Sequence, residues 1–136
     1  MLIDASVALK LFLGEDDSSA AQHLLEQAIL EAPDLILAEV ANGLWKAHRR
    51  GTLSAELYAR DVAKLVEIFE TFHSMATLTA RAAEIAQRLD HPVYDCIYLA
   101  CAERMESPLV TADRRLLQAV SGSPWATLCR SLSDIG

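Results

Sequence analysis

Four acids stand where the chain changes from one kind of element to another. Asp4 closes the apolar stretch Leu2-Ile3, Glu39 lies just beyond Asp34–Leu37, Asp95 opens the apolar run Cys96–Ala102, and Asp113 follows Pro108–Thr111. Each is read at a strand end or a helix start, although they are far apart in sequence. In open parallel α/β sheets, ligands bind outside the carboxyl ends of the strands. If the first and fourth strands are neighbours, Asp4 and Asp113 are neighbours too. Carboxylates gathered in this way are not stable as bare anions: two charges about 5 Å apart repel by roughly 3 kcal/mol at an effective dielectric of 20. Several such pairs force protonation or unfold the site. A divalent cation removes the repulsion, and oxygen-only ligands select Mg²⁺ or Mn²⁺ over zinc. Such an ion lowers the pKa of a bound water and stabilises charge on a phosphate, so the expected reaction is hydrolysis of a phosphodiester.

Each residue has a plainer reading beside this one. Asp95 and Asp113 are good helix N-caps. Glu39 is also the kind of first-turn acid that a helix dipole favours. Asp4 is harder to explain away, because an acid in a Leu-Ile-Asp-Ala strand is costly to bury unless it is paired or bound to metal. Ser6 and Thr111 are read as cap hydroxyls or as hydroxyls that position water.

The elements that must hold these acids follow from periodicity and punctuation. A first strand is predicted over Met1–Ala5, then a short helical stretch Val7–Leu13 ended by Gly14, and a polar loop Glu15–Ser19. A helix from about Ala20 to Glu31 is stopped by Pro33. A strand over Asp34–Leu37 leads into a helix Ala38–Arg50 that stops at Gly51. A helix opened by Ser54 places Tyr58, Val62, Leu65, Val66, Phe69 and Phe72 inward at helical spacing. A strand Ser74–Leu78, a helix capped by Thr79 and running to Leu89, and a loop His91–Tyr94 come next. The helix Asp95–Met105 is apolar nearly all round and therefore buried in a layer. A strand Pro108–Thr111, a helix Asp113–Val120 and a last strand Thr127–Leu132 complete the chain. Strands alternating with helices imply a parallel sheet covered on both faces.

A length of 136 residues fits one domain spanning 1–136, and an apolar fraction of 52% is ample for its core. No apolar run approaches the roughly 20 residues needed to cross a membrane, and the acid at position 4 is wrong for the basic start of a secretory leader. Cys96, Cys101 and Cys129 form no CxxC and are read as reduced, buried thiols of a cytoplasmic protein. The formal net charge of −7 argues against broad electrostatic binding of nucleic acid, though metal ligands are part of that count. It also suits a basic protein partner.

Four segments, taken in order, resemble the PIN-domain family. Leu2-Ile3-Asp4-Ala5-Ser6 looks like its D-x-S/T start, and Glu39-Val40-Ala41-Asn42-Gly43-Leu44 like its E-x-x-N-x-L helix. Tyr94-Asp95-Cys96-Ile97-Tyr98-Leu99-Ala100 is similar to its D-x-x-x-x-A segment, and Val110-Thr111-Ala112-Asp113-Arg114-Arg115-Leu116 to its L-V-T-x-D-x-x-L segment. Within the family the pattern is most similar to VapC-type toxins of bacterial toxin–antitoxin pairs. The resemblance implies a three-layer α/β/α sandwich with a parallel five-stranded sheet of order 3-2-1-4-5. It implies Mg²⁺- or Mn²⁺-dependent endonucleolytic cleavage of RNA, with Asp4, Glu39, Asp95 and Asp113 as catalytic metal ligands and Ser6 and Thr111 as supporting hydroxyls. It further implies a homodimer, silenced by a cognate antitoxin whose peptide fills the active-site groove. The C-terminal Trp125–Gly136 matches the family least.

Several other residues have two readings. Arg114 and Arg115 follow Asp113 directly and are candidate contacts for an RNA phosphate, or solvated charges. Lys46, His48, Arg49 and Arg50 form the one dense basic cluster. They either steer RNA, Arg49 and Arg50 foremost, or simply suit the carboxyl end of a helix dipole. Lys10 is a further candidate near the site. The four His residues show no ligand spacing and read as structural or surface groups. Trp45 and the helix carrying Tyr58–Phe72 suit a dimer or antitoxin surface, or core packing. The competing function is a catalytically silent PIN-fold module that only binds a protein partner; a degenerate module usually lacks one of the four acids, and none is missing here. A phosphatase of another α/β family would need an acid where Ser6 stands, or a glycine-rich phosphate loop, and neither is present.

Overall fold

The computed structural model describes residues 1–14 and 18–135. The first strand, β1 (Leu2–Ile3), is short because Asp4 leaves the sheet at once and caps α1 (Ala5–Leu13). Its carboxylate accepts from the Val7 backbone N–H, and Gly14, at φ 60°, ends the helix in the left-handed region. Then come α2 (Ser18–Gln27), β2 (Glu31–Pro33), α3 (Leu35–Arg49), α4 (Ala55–Glu67), β3 (Thr71–His73) and α5 (Met75–Leu89). The chain continues through α6 (Val93–Met105), β4 (Leu109–Thr111), α7 (Arg114–Val120) and β5 (Cys129–Ser131), the last held between two 3-10 turns.

All strand pairs are parallel, and the order across the sheet is β3-β2-β1-β4-β5, as expected. Chain direction across the sheet reverses between β1 and β4, which is where such folds open a crevice. The flanking helices form two groups: α1 packs on α2 and α3, and α3 on α4, while α5 packs along α6. Cys96 through Ala102 of α6 are all buried, so that helix has no polar stripe, as its composition predicts. The core is mostly Leu, Ile, Val and Ala, with Tyr98 among its largest side chains.

Several elements differ from the sequence reading. β2 and β3 lie wholly before the predicted strands Asp34–Leu37 and Ser74–Leu78, whose residues from Leu35 and from Met75 onward open α3 and α5 instead, and α6 begins at Val93, within the predicted loop His91–Tyr94. Pro33 is the last residue of β2 rather than the stop of a helix; α2 already ends at Gln27. Likewise Ser74, not Thr79, caps α5: its hydroxyl accepts from the Ala76 N–H, while the Thr79 hydroxyl donates to the Met75 carbonyl one turn back. The inner face of α4 is also rotated from the expected one. Val66 is exposed, and the carboxylate of Asp61 takes the buried place beside Leu65, bonded by Arg60. The helix read as running through Phe72 breaks after Glu67, and Phe72 lies in β3. Of the predicted loop Glu15–Ser19, residues 15–17 lie outside the described residues, and Ser18 already belongs to α2. Cys96 and Cys101 are buried and Cys129 half-buried, all as free thiols, with burial pushing them up to about 11, 12 and 11. No helix among the described residues is long and apolar enough to cross a membrane.

Candidate active site

Register builds the centre of the site. Leu2 pairs with Leu109 and Ile3 with Val110, so the next residues out, Asp4 and Thr111, face each other at the carboxyl ends of β1 and β4. The Thr111 hydroxyl donates to Asp4 Oδ2 and the Ser6 hydroxyl to Asp4 Oδ1, 2.5 Å away. The Val7 N–H adds a third bond to Oδ1 at 3.2 Å. Both hydroxyls are themselves anchored: Ser6 Oγ accepts from the Ala112 N–H at 2.9 Å, and Thr111 Oγ1 from the Asp113 N–H at 3.0 Å. Asp4 is thus held by donors from the first turn of α1 and from the end of β4, and it is buried.

That burial pushes the Asp4 carboxyl up from 3.8 to about 6, against the three hydrogen bonds that favour its anion; the neighbouring charge of Asp95 pushes the same way. Glu39, half-buried in the second turn of α3, is also raised, by burial first and by Asp95 again. Asp4, Glu39 and Asp95 therefore share one field, with Asp95 common to both pairs. Two donors steady the outer pair. The Tyr98 hydroxyl, one turn along α6 from Asp95, donates to Glu39 Oε1 at 2.6 Å. His91 Nε2 donates to Asp95 Oδ2 at 2.7 Å. Burial and the surrounding carboxylates drive the Tyr98 hydroxyl well above its ordinary range, so it stays a donor.

Asp113 is less involved. Its Oδ1 accepts from the N–H groups of Arg115 and Leu116, so its side chain caps α7, and only its backbone N–H joins the Thr111–Asp4 network. Asp95, by contrast, does not cap α6, whose N-cap is Pro92. Among the described residues no three His, Cys, Asp or Glu side chains are already gathered closely enough to enclose an ion. Like-charged carboxylates without a counter-charge gain by standing apart. The donor set nevertheless fits a hard divalent cation: all oxygen, anionic and coupled. The bonds from Tyr98 and His91 each engage a single oxygen of Glu39 and Asp95.

A groove of about 400 Å³ leaves this centre between α1 and α3, lined by Ala5, Leu9 and Leu13 on one wall and by Glu39, Asn42, Gly43, Lys46 and Arg50 on the other. Gly43 permits the close approach of the two helices, since a Cβ there would stand 2.7 Å from both Leu9 methyls. Arg49, one position from Arg50, turns to another face and lies over the Trp45 ring at 5.4 Å. His48 stacks on Tyr58 and bonds the Leu53 carbonyl. Arg114 lines a small hollow with Ser131 and Ser133 beside Ala112, and Arg115 is exposed.

Tyr98 and His91 carry no functional role in the sequence reading. A signal for Tyr98 existed: a lone hydroxyl on a helix buried all round must find a partner.

The PIN domain model matches residues 1–122. Ribonuclease VapC3 of Pyrobaculum aerophilum is 36% identical over 121 residues, covering 87% of this chain and 92% of that protein. Ribonuclease VapC9 of Mycobacterium tuberculosis is 33% identical over 116 residues, covering 85% and 87%. Among solved structures, one from Pyrobaculum aerophilum superposes with a TM-score of 0.68 at 25% identity, covering 98% of this chain and 90% of that one. A toxin–antitoxin complex from Klebsiella pneumoniae shares the fold, with a TM-score of 0.69 at 21% identity and 96% of each chain covered. By its matched span and these identities, the chain belongs to the PIN-domain family and, within it, to the VapC ribonucleases.

Proposed function

We infer that this protein hydrolyses internal RNA phosphodiester bonds with Mg²⁺ or Mn²⁺ held by Asp4, Glu39, Asp95 and Asp113, and that it is the toxin of a VapBC-type pair. The observation that carries the reading is Asp4 at the ends of β1 and β4, pushed up to about 6 by burial, with the charge of Asp95 adding to it, and held by Ser6 and Thr111. A carboxylate so placed is costly without a cation. When bound, the ion activates water and stabilises charge on the phosphate.

The chain's own residues supply the frame. Ser6 and Thr111 fix the plane of Asp4; Tyr98 and His91 turn one oxygen each of Glu39 and Asp95 inward to the protein and leave the other for the ion. Asp113 supplies the fourth carboxylate from the rim, where Arg114 and Arg115 are close enough in sequence to meet an RNA phosphate. Arg50 is a further phosphate contact in this reading, while Arg49, over the Trp45 ring on another face, is not. The partners are RNA, a cognate antitoxin that silences the site, and a second copy of the chain, and the setting is the cytoplasm.

The test is cleavage of a labelled RNA by purified protein with Mn²⁺ or Mg²⁺ and with chelator. Cleavage should require the metal and fall at least 100-fold in Asp4→Asn and in Asp95→Asn. If both variants cleave as wild type does, the site assignment is wrong; if Mn²⁺ gives no heat in titration calorimetry, the protein is a silent binding module.

A further inference from the structure

We propose that the groove between α1 and α3 is the path of one RNA strand on one side of the cut, with Lys46 and Arg50 holding its phosphates. This rests on the ribonuclease reading above and adds to it where the substrate runs and how far it must reach.

Helical spacing makes the groove. Residues 5, 9 and 13 of α1 fall on one stripe, and residues 39, 42, 43 and 46 of α3, with Arg50 at its C-cap, on the facing one. Both stripes begin at the acid centre, Ala5 between Asp4 and Ser6, and Glu39 itself. Both helices then run away from the carboxyl ends of β1 and β2. Charge changes sign along the groove: an acid at its start, Asn42 in the middle, and two cations at its far end. Neither Lys46 nor Arg50 has an ion-pair partner among the described residues. The chain's net charge is −7, and carboxylates do neutralise some cations elsewhere, Arg60 through Asp61 and Arg81 through Glu84 and Glu103, but none among the described residues reaches these two. Two unpaired cations beside an apolar wall match a polyanion whose bases and sugars need a surface to lie on.

The spacing gives a length. At 1.5 Å per residue, Lys46 lies about 10 Å and Arg50 about 16 Å along α3 from Glu39. A stacked strand advances about 3.4 Å per nucleotide, so these cations meet phosphates about three and five nucleotides from the cut.

The experiment uses the full chain carrying Asp95→Asn, so that RNA is bound and not cut, and labelled oligouridylates of about 4 to 16 nucleotides read by fluorescence anisotropy. Each lost phosphate contact should lower the slope of log affinity against log salt by about 0.7. Lys46→Gln with Arg50→Gln should therefore make the affinity loss between 50 and 200 mM salt about sevenfold smaller. Arg49→Gln removes the same charge from the same turn but on the Trp45 face, and should change the slope less. The difference between wild type and the double variant should shrink for oligomers below about five nucleotides. Amide hydrogen exchange should show protection of α1 and α3 by the RNA. Unchanged slopes in the double variant, an equal effect of Arg49→Gln, or protection elsewhere would overturn the proposal and leave the groove to a protein partner. Wild-type protein that cuts RNA while these slopes stay unchanged fails the groove alone; slopes that fall while no RNA is ever cut fail the ribonuclease reading alone.

Discussion

Asp4 makes the protein's response to pH unlike that of an ordinary surface carboxylate. Its native pKa is about 6 against 3.8, so the native state holds the proton more tightly than the unfolded chain does. Stability from this group is therefore full below about pH 4 and lost as pH rises through 6, a loss of about 3 kcal/mol without metal. In chelator at pH 7.5, Asp4→Asn should be more stable than wild type by about 1–3 kcal/mol, part of the gain being offset because an amide cannot accept from both hydroxyls. Urea unfolding at pH 4.5 and 7.5 checks this: the advantage should fade at the lower pH, and a variant less stable than wild type at pH 7.5 would contradict it. Tyr98→Phe tests the other carboxylate. Its hydroxyl is the donor to Glu39 Oε1, so its loss should weaken Mn²⁺ binding by about 10–100-fold while moving stability by only about 1 kcal/mol. Calorimetry showing unchanged Mn²⁺ affinity would make Tyr98 simple core packing. The acids themselves were legible in the sequence because a charge beside an apolar strand stands out. Tyr98 was hidden, since an aromatic on an all-apolar helix reads as core and its partner lies 59 residues away. Asp113 was legible in both its readings, and the structure shows its cap.

Among the elements, the strands are the hardest to read because they are two or three residues long. Strands buried on both faces lack alternation, and at this length they offer too few residues for a period of any kind. The predicted β2 and β3 fall just beyond the observed strands, on the starts of α3 and α5, for a local reason: Asp34 and Ser74 look like members of strands, yet both serve the start of α5. Asp34 Oδ1 accepts from the Met75 N–H at 3.0 Å, tying the end of β2 to the helix that follows β3. Helix α3 was read nearly whole, and its glycine explains how it meets α1. Gly43→Ala gains about 1 kcal/mol of helix propensity but forces Leu9 aside, whereas Gly43→Val gains less and intrudes further. Stability should fall in the order wild type or Ala, then Val, with Val lower by about 1–3 kcal/mol in urea unfolding. A valine variant as stable as wild type would show that α1 and α3 separate without cost, and that the groove is not fixed by this contact.

At the scale of the molecule, the family match ends at residue 122, yet the sheet does not. Strand β5 pairs with β4 along Leu109–Thr111, the strand whose last residue holds Asp4. Trp125 and Leu132 flank β5 in sequence and are buried, and the Trp125 indole donates to Glu103, which Arg81 also grips. The segment that resembled the family least therefore completes the edge of the sheet beside the site. Removing everything after Gly122 would leave β4 paired with β1 alone and expose apolar surface that Trp125 and Leu132 cover. Burial of a leucine contributes about 1.5–3 kcal/mol and loss of a buried tryptophan costs about 3–5 kcal/mol, against a total of about 5–15 kcal/mol for a domain. The truncated chain should lose its cooperative unfolding transition by circular dichroism, while Trp125→Ala in the full chain should keep the transition at a urea midpoint lower by the equivalent of about 3 kcal/mol. Equal midpoints for the full and truncated chains would mean that β5 folds as an appendage, and that Thr111 is held in place by β1 and Ser6 alone.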